Sequence, residues 1–267
     1  MKCDVQVTRY DNENTIISDF QRFKKSDIEF LPFSIKILKI YNSIHNKKKW
    51  QKWTDSSGKN DMPPDYYNEK EKRMMDVMRI DDHAYVDDKG NVINIHNKRE
   101  SEIINKLIKN NKNFLELAKK GNIFINPDFG LRGEQDHNYE YYINNFIRVV
   151  SNHIKKIEQY KKNHQGYKTV FFIVDESFPY IKEIKDKRPD DVETPFFAHP
   201  HQWCFDKNMV DIIINSEIDY VIWMTPYKHF KTIEKIKIPK ATIIDVKRIK
   251  KDNLINYDKS KMKSLEI

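Results

Sequence analysis

Apolar residues in this chain fall into short runs separated by polar stretches rich in lysine and asparagine. The most apolar run is Lys168–Ser177, Lys-Thr-Val-Phe-Phe-Ile-Val-Asp-Glu-Ser. Its length and its β-branched and aromatic content predict a strand buried on both faces, leaving the core at Asp175, Glu176 and Ser177. Asn122–Asn126, Asp219–Met224 and Ala241–Val246 read as strands of the same kind. A helical pattern fills Tyr139–Gln165, with Tyr142, Phe146, Val149, Val150, Ile154 and Ile157 as its apolar stripe. A second helix starts from an Asp206 cap and runs to Ile218. This alternation predicts an α/β fold: a three-layer, mostly parallel sheet with crossover helices.

The first half is less regular. Cys3–Tyr10 alternates weakly, as a short strand would. Phe33–Trp53 looks helical, with Phe33, Ile37, Ile40 and Ile44 on one face. The polar stretch Thr54–Pro64 predicts a loop. It divides a helical N-terminal segment, 1–60, packed on the main body, from an α/β domain, 61–267. Asn68–Met78 is expected to be a short helix with Met74, Met75 and Met78 inside. Arg79–Ile95 reads as an added β-hairpin turning at Asp87-Asp-Lys-Gly-Asn91. A helix over Arg99–Lys120 would stop at Gly121. Phe178–Phe205 is irregular, and the polar tail after Val246 should be loosely held.

Charge complicates the picture. The net charge is +8, and 33% of residues are charged. A basic balance favours nucleic acid or another polyanion. The competing reading is lysine spread over the surface by a Lys/Asn/Ile-rich composition. In His45–Trp53 two tryptophans interleave with lysines, a pattern that grips phosphates and stacks on bases. Lysine near a helix C-terminus also complements the helix dipole. No apolar stretch is long enough to span a bilayer, and the N-terminus has no apolar signal region. The expected location is cytoplasmic, with no membrane partner. Cys3 and Cys204 make neither a disulfide framework nor a four-thiolate zinc site.

Chemistry is expected beyond the carboxyl ends of parallel strands, where open sheets bind ligands. That rule selects Asp128, then Asp175, Glu176 and Ser177, then Thr225, Tyr227 and Lys228, then Asp245 and Lys247. Carboxylates brought together need a cation or a raised pKa. Mg2+ or Mn2+ would suit Asp128, Asp175 and Glu176 as metal ligands. Lys228 or Lys247 would neutralise phosphoryl charge, and His201 or His83 would act as the base. This predicts a metal-dependent phosphodiesterase or nuclease. The alternative is a non-catalytic module binding nucleic acid, a nucleotide or a protein. No Gly-x-x-x-x-Gly-Lys-Ser/Thr occurs, which excludes a P-loop nucleotide site.

Two local resemblances point the same way. Asp245-Val246-Lys247, preceded by Asp219, resembles the acid-x-Lys half of restriction-endonuclease-like enzymes. That resemblance implies two acids holding a metal and a lysine orienting water. Asp81-Asp82-His83 on a hairpin arm, followed by Asn97 and a helix, resembles a ββα-metal nuclease. It implies His83 as base and Asn105 or Glu102 as metal ligand. His199-Pro-His201-Gln-Trp-Cys204 brings imidazoles and a thiol close together, but without an evident fourth zinc ligand.

Overall fold

The structure, a computed structural model, describes Tyr10 and residues 12–57, 64–86, 89–94, 102, 106, 109, 138–182, 199–226, 228 and 238–264. The strands expected over Cys3–Tyr10 (Tyr10 apart) and Asn122–Asn126 lie outside the described residues, as do Asp128 and Tyr227.

Seven strands make the main sheet: β1 (Ile28–Leu31), β2 (Thr54–Asp55), β3 (Tyr66–Asn68), β4 (Arg73–Ile80), β7 (Lys168–Asp175), β10 (Tyr220–Met224) and β11 (Ala241–Asp245). Their order across the sheet is β1-β11-β10-β7-β4-β3-β2. The central strands β4, β7 and β10 run parallel. Parallel neighbours need crossovers. The long helix α4 (Tyr139–Asn163) lies between β4 and β7 in the chain, and α5 (Lys207–Ile214) between β7 and β10. The outer pairs β10–β11 and β3–β4 are antiparallel.

Every residue of β7 after Lys168 is buried. Side chains alternate across a strand, and the two sets join different clusters. Phe171 and Ile173 pack with Tyr142, Phe146 and Val150 of α4 and Met209 of α5. Val170, Phe172 and Val174 pack with Ile16, Ile17 and Phe20 of α1 (Glu13–Phe20) and Ile37, Ile40 and Ile44 of α2 (Ile35–His45). Both faces are therefore covered, which is why the run lacks polar alternation.

Five expectations change. Asn68–Met78 is not a helix: it forms the end of β3, a turn, and most of β4. Met74 and Met78 enter the α4 cluster, whereas Met75 and Val77 enter the α1–α2 cluster. Pairing with β7 and β3 overrides a weak helical pattern. The N-terminal segment contributes β1 and β2, the two edges of the same sheet, as well as helices. The helix expected at Phe33 begins at Ile35, capped by Ser34. It breaks at Asn46 into the short α3 (Lys47–Trp50), and Phe33, ahead of the Ser34 cap, is 64% exposed. The tail is not loose: β12 (Met262–Ser264) pairs with β8 (Tyr180–Lys182), which also pairs with β9 (His199–Pro200). Tyr257 and Met262 are buried.

The hairpin forms as β5 (Ala84–Val86) against β6 (Val92–Asn94). Gly90 has φ +80°, the left-handed conformation that glycine adopts without strain. Ile80, expected in the hairpin, belongs to β4.

Candidate functional site

Asp175 ends β7 with its side chain fully buried. Three elements deliver donors to its Oδ2: the Tyr142 hydroxyl of α4 at 2.7 Å, Trp223 Nε1 of β10 at 3.0 Å, and Lys228 Nζ at 2.6 Å. Ser177 donates to Oδ1 through its amide at 3.1 Å and its hydroxyl at 2.6 Å. A carboxylate has about four lone-pair sites, so these donors fill it. The Lys228 ammonium also lies 5.1 Å from the Tyr142 ring centroid. Burial and the Asp175 charge push the Tyr142 hydroxyl well above its ordinary pKa, so it stays a donor.

A second carboxylate repeats the pattern. His201 Nε2 lies 2.8 Å from Asp206 Oδ2, and the Tyr139 hydroxyl donates to the same oxygen. Asp206 Oδ1 caps α5 through the Asn208 amide at 2.9 Å. Burial holds His201 below its ordinary pKa, against the pull of Asp206. The His201 ring stands edge-on to Tyr139, Tyr142 and Tyr257. Tyr180 stacks on Tyr142 with centroids 5.5 Å apart, and its hydroxyl reaches buried Asp82 at 2.7 Å. His83 Nε2 lies 3.7 Å from Asp82.

The expected residues therefore divide. Asp175, Lys228 and His201 gather at the carboxyl ends of β7 and β10, and the Asp82–His83 pair joins them through Tyr180. Glu176 does not: it forms a two-pronged ion pair with Arg79 of β4, at 3.0 and 2.9 Å. Arg79 also donates to the Tyr10 carbonyl. Asp245 and Lys247 lie at the other end of the sheet, because β11 runs against β10 and pairs Asp245 with Tyr220. Tyr220 in turn pairs with Val170, five residues from Asp175, or about 16 Å along a strand.

At that far end Asp219 and Lys247 do meet, at 3.0 Å. Lys168 Nζ and the Thr169 amide also reach Asp219, each at 3.0 Å. Burial pushes the Asp219 carboxyl up, but Lys247, Thr169 and Lys168 outweigh it and hold the pKa below its ordinary value. Among the described residues, no three His, Cys, Asp or Glu side chains gather to hold a metal ion. Glu102 is helical, and Asn97 and Asn105 lie outside the described residues.

Sequence reasoning picked out Asp82 beside His83 but missed Tyr142, Trp223, Tyr139 and Tyr180 as members of the same network. Each reads as core, cap or hairpin edge in the sequence. The available signal is general: a buried Tyr or Trp needs a partner for its polar atom.

The surface carries a different feature. The segment Phe30–Thr54 holds six lysines and no Asp or Glu, and so accounts for six of the eight excess positive charges. Lys36, Lys39, Lys47, Lys48, Lys49 and Lys52 are all exposed on or beside α2 and α3. None of them forms an ion pair among the described residues, whereas Lys161, Lys168, Lys207, Lys240, Lys247 and Lys259 do. Trp53 is buried, with Nε1 on the Ser43 carbonyl and hydroxyl. Trp50 is only half-buried, stacked on Trp53 at 5.6 Å and tilted against Tyr66 at 4.9 Å.

No protein-family model, curated protein or solved structure matches this chain. Among the described residues, no helix is long and apolar enough to cross a membrane.

Proposed function

We propose that this chain is a binding module for a polyanion, nucleic acid being the class that fits, and that α2 and α3 form the contact face. The supporting observation is the set of six exposed lysines without a carboxylate partner among the described residues. Like charges three or four apart on a helix surface repel, as at Lys36 and Lys39. A phosphate backbone would relieve that repulsion and release counterions. The half-buried Trp50 ring, beside Lys47–Lys49, suits stacking on an unpaired base.

Fluorescence anisotropy with labelled single-stranded and duplex oligonucleotides tests this. The expected result is binding that weakens steeply with salt. K47E/K48E/K49E should weaken it by at least about tenfold. It should also lower the salt slope for a single strand by about 2, since each phosphate neutralised by a lysine contributes about 0.7. Absence of binding at low salt, or equal affinity of the variant, overturns the reading.

A second reading, hydrolysis of the same polymer, draws on the meeting of Asp175, Lys228 and the His201–Asp206 pair at parallel strand ends. Mg2+ or Mn2+ would then have to displace Lys228 from Asp175. Cleavage of plasmid or oligonucleotide with either metal, lost in D175N and kept in the lysine variant at high substrate, would support it. No cleavage under any of these conditions removes it.

A further inference from the structure

The buried centre of β4 reads Met-Met-Asp-Val-Met, with a carboxylate where the pattern calls for an apolar residue. Asp76 is only 3% exposed. Such a charge is tolerated only when it is matched. From α4, His153 Nδ1 lies 2.5 Å from Asp76 Oδ2, and the Tyr160 hydroxyl donates to it at 3.2 Å. From the other side, the β3–β4 register, carried one pair past Tyr66–Met75, sets Asp65 opposite Asp76.

Asp65 closes a gap in the sheet. Pairing of β3 with β4 ends at Tyr66–Met75. Just beyond, the Val77 amide donates to Asp65 Oδ2 at 2.7 Å. The same short stretch anchors the edge: the Ser56 amide donates to the Asp65 carbonyl at 2.8 Å, and the Ser56 hydroxyl to the Pro64 carbonyl at 2.5 Å. Two carboxyls set side by side repel unless one of them holds a proton.

We propose that Asp65 and Asp76 form a proton-operated latch: one shared proton holds residues 64–66, and with them the β2–β3 edge, on β4.

The surroundings favour Asp65 as the proton's carrier. Glu13 of α1 and Tyr66 of β3 face it, and neither supplies positive charge. His153 and Tyr160 of α4 are engaged by Asp76. From β7 the register partner of Asp76 is Phe171. Arg73 and Arg79, each three residues from Asp76 along β4, are bound to Glu71 and Glu176. Burial, then the Asp76 charge, push the Asp65 carboxyl from 3.8 up to about 7. The folded chain therefore keeps a proton that the unfolded chain has lost. Stability falls as pH rises from about 4 towards about 7, and the latch opens above that range.

D65N provides the test. Its amide oxygen can still accept from Val77 and its NH2 can donate to Asp76, which mimics the protonated acid at every pH. In the parent protein, urea titrations should show the folding equilibrium constant falling by up to about tenfold per pH unit between pH 5 and 7. D65N should lose that fall, and D76N, which removes the second carboxylate but leaves Asp65 buried, should shrink it. H153Q should keep it. Exchange of the Val77 amide, corrected for intrinsic rate, should quicken from pH 6 to 8 in the parent and stay level in D65N. Parallel profiles for the parent and D65N, or a slope lost in H153Q and kept in D65N, overturn the proposal.

Discussion

Replacing Asp175 with Asn tests whether the strand-end network is held by charge. The substitution preserves shape but removes the negative charge opposite Lys228, whose side chain is 8% exposed. Breaking one partner of a buried pair costs about 3–5 kcal/mol, because the other charge stays buried and unpaired. Tyr142, Trp223 and Ser177 also lose a charged acceptor, and bonds to charged groups are worth about 1.5–3 kcal/mol each. These losses share one group and do not add, so a total near ~4 kcal/mol is expected. At about 3 kcal/mol per molar of urea, the unfolding midpoint should fall by a little over ~1 M. K228M alone should also destabilise, leaving Asp175 with an unmatched charge. The double variant D175N/K228M carries neither charge and should be more stable than the sum of the single losses implies, with a coupling of about 2 kcal/mol or more. A D175N loss within about 0.5 kcal/mol, or strictly additive single losses, would refute the reasoning.

Two further outcomes follow from burial. Burial, then the nearby Glu29 charge, push the Cys204 thiol up to about 12; in a C3S background it should resist a disulfide reagent at about pH 8 until urea unfolds the chain. Phe172 is fully buried, edge-on to Phe20 at 5.3 Å, so F172A should cost about 3–5 kcal/mol in the same urea assay. The exposed Phe33 gives the contrast, with F33A within about 0.5 kcal/mol of the parent; equal losses at the two sites would show that the core is misplaced.

The lysine face was partly legible before the fold was known. His45–Trp53 showed interleaved lysine and tryptophan, but burial separates the two rings. Trp53 is engaged by Ser43, and Trp50 is only half-buried. What makes the face unusual is the absence of carboxylates across Phe30–Thr54. That absence gains meaning only once the six lysines are seen to share two adjoining helices.

The sequence by itself determined the strands Lys168–Asp175, Tyr220–Met224 and Ala241–Asp245, the helix Tyr139–Asn163 and the Asp206 cap. Each is specified by strong local patterning: continuous apolar runs, a 3.6-residue stripe, and a side chain that bonds its own helix end. Tertiary structure decided the rest. Strand direction is invisible to local patterning, so Asp245 was expected beside Asp175 but stands at the far end of an antiparallel neighbour. Arg73–Ile80 became a central strand because two neighbours pair with it. Asp175 is a saturated, buried anchor because Tyr142, Trp223, Lys228 and Ser177 converge on it from four places in the chain. A carboxylate's chemistry depends on what surrounds it, and apart from Ser177 those surroundings are long-range contacts that no short stretch of sequence encodes.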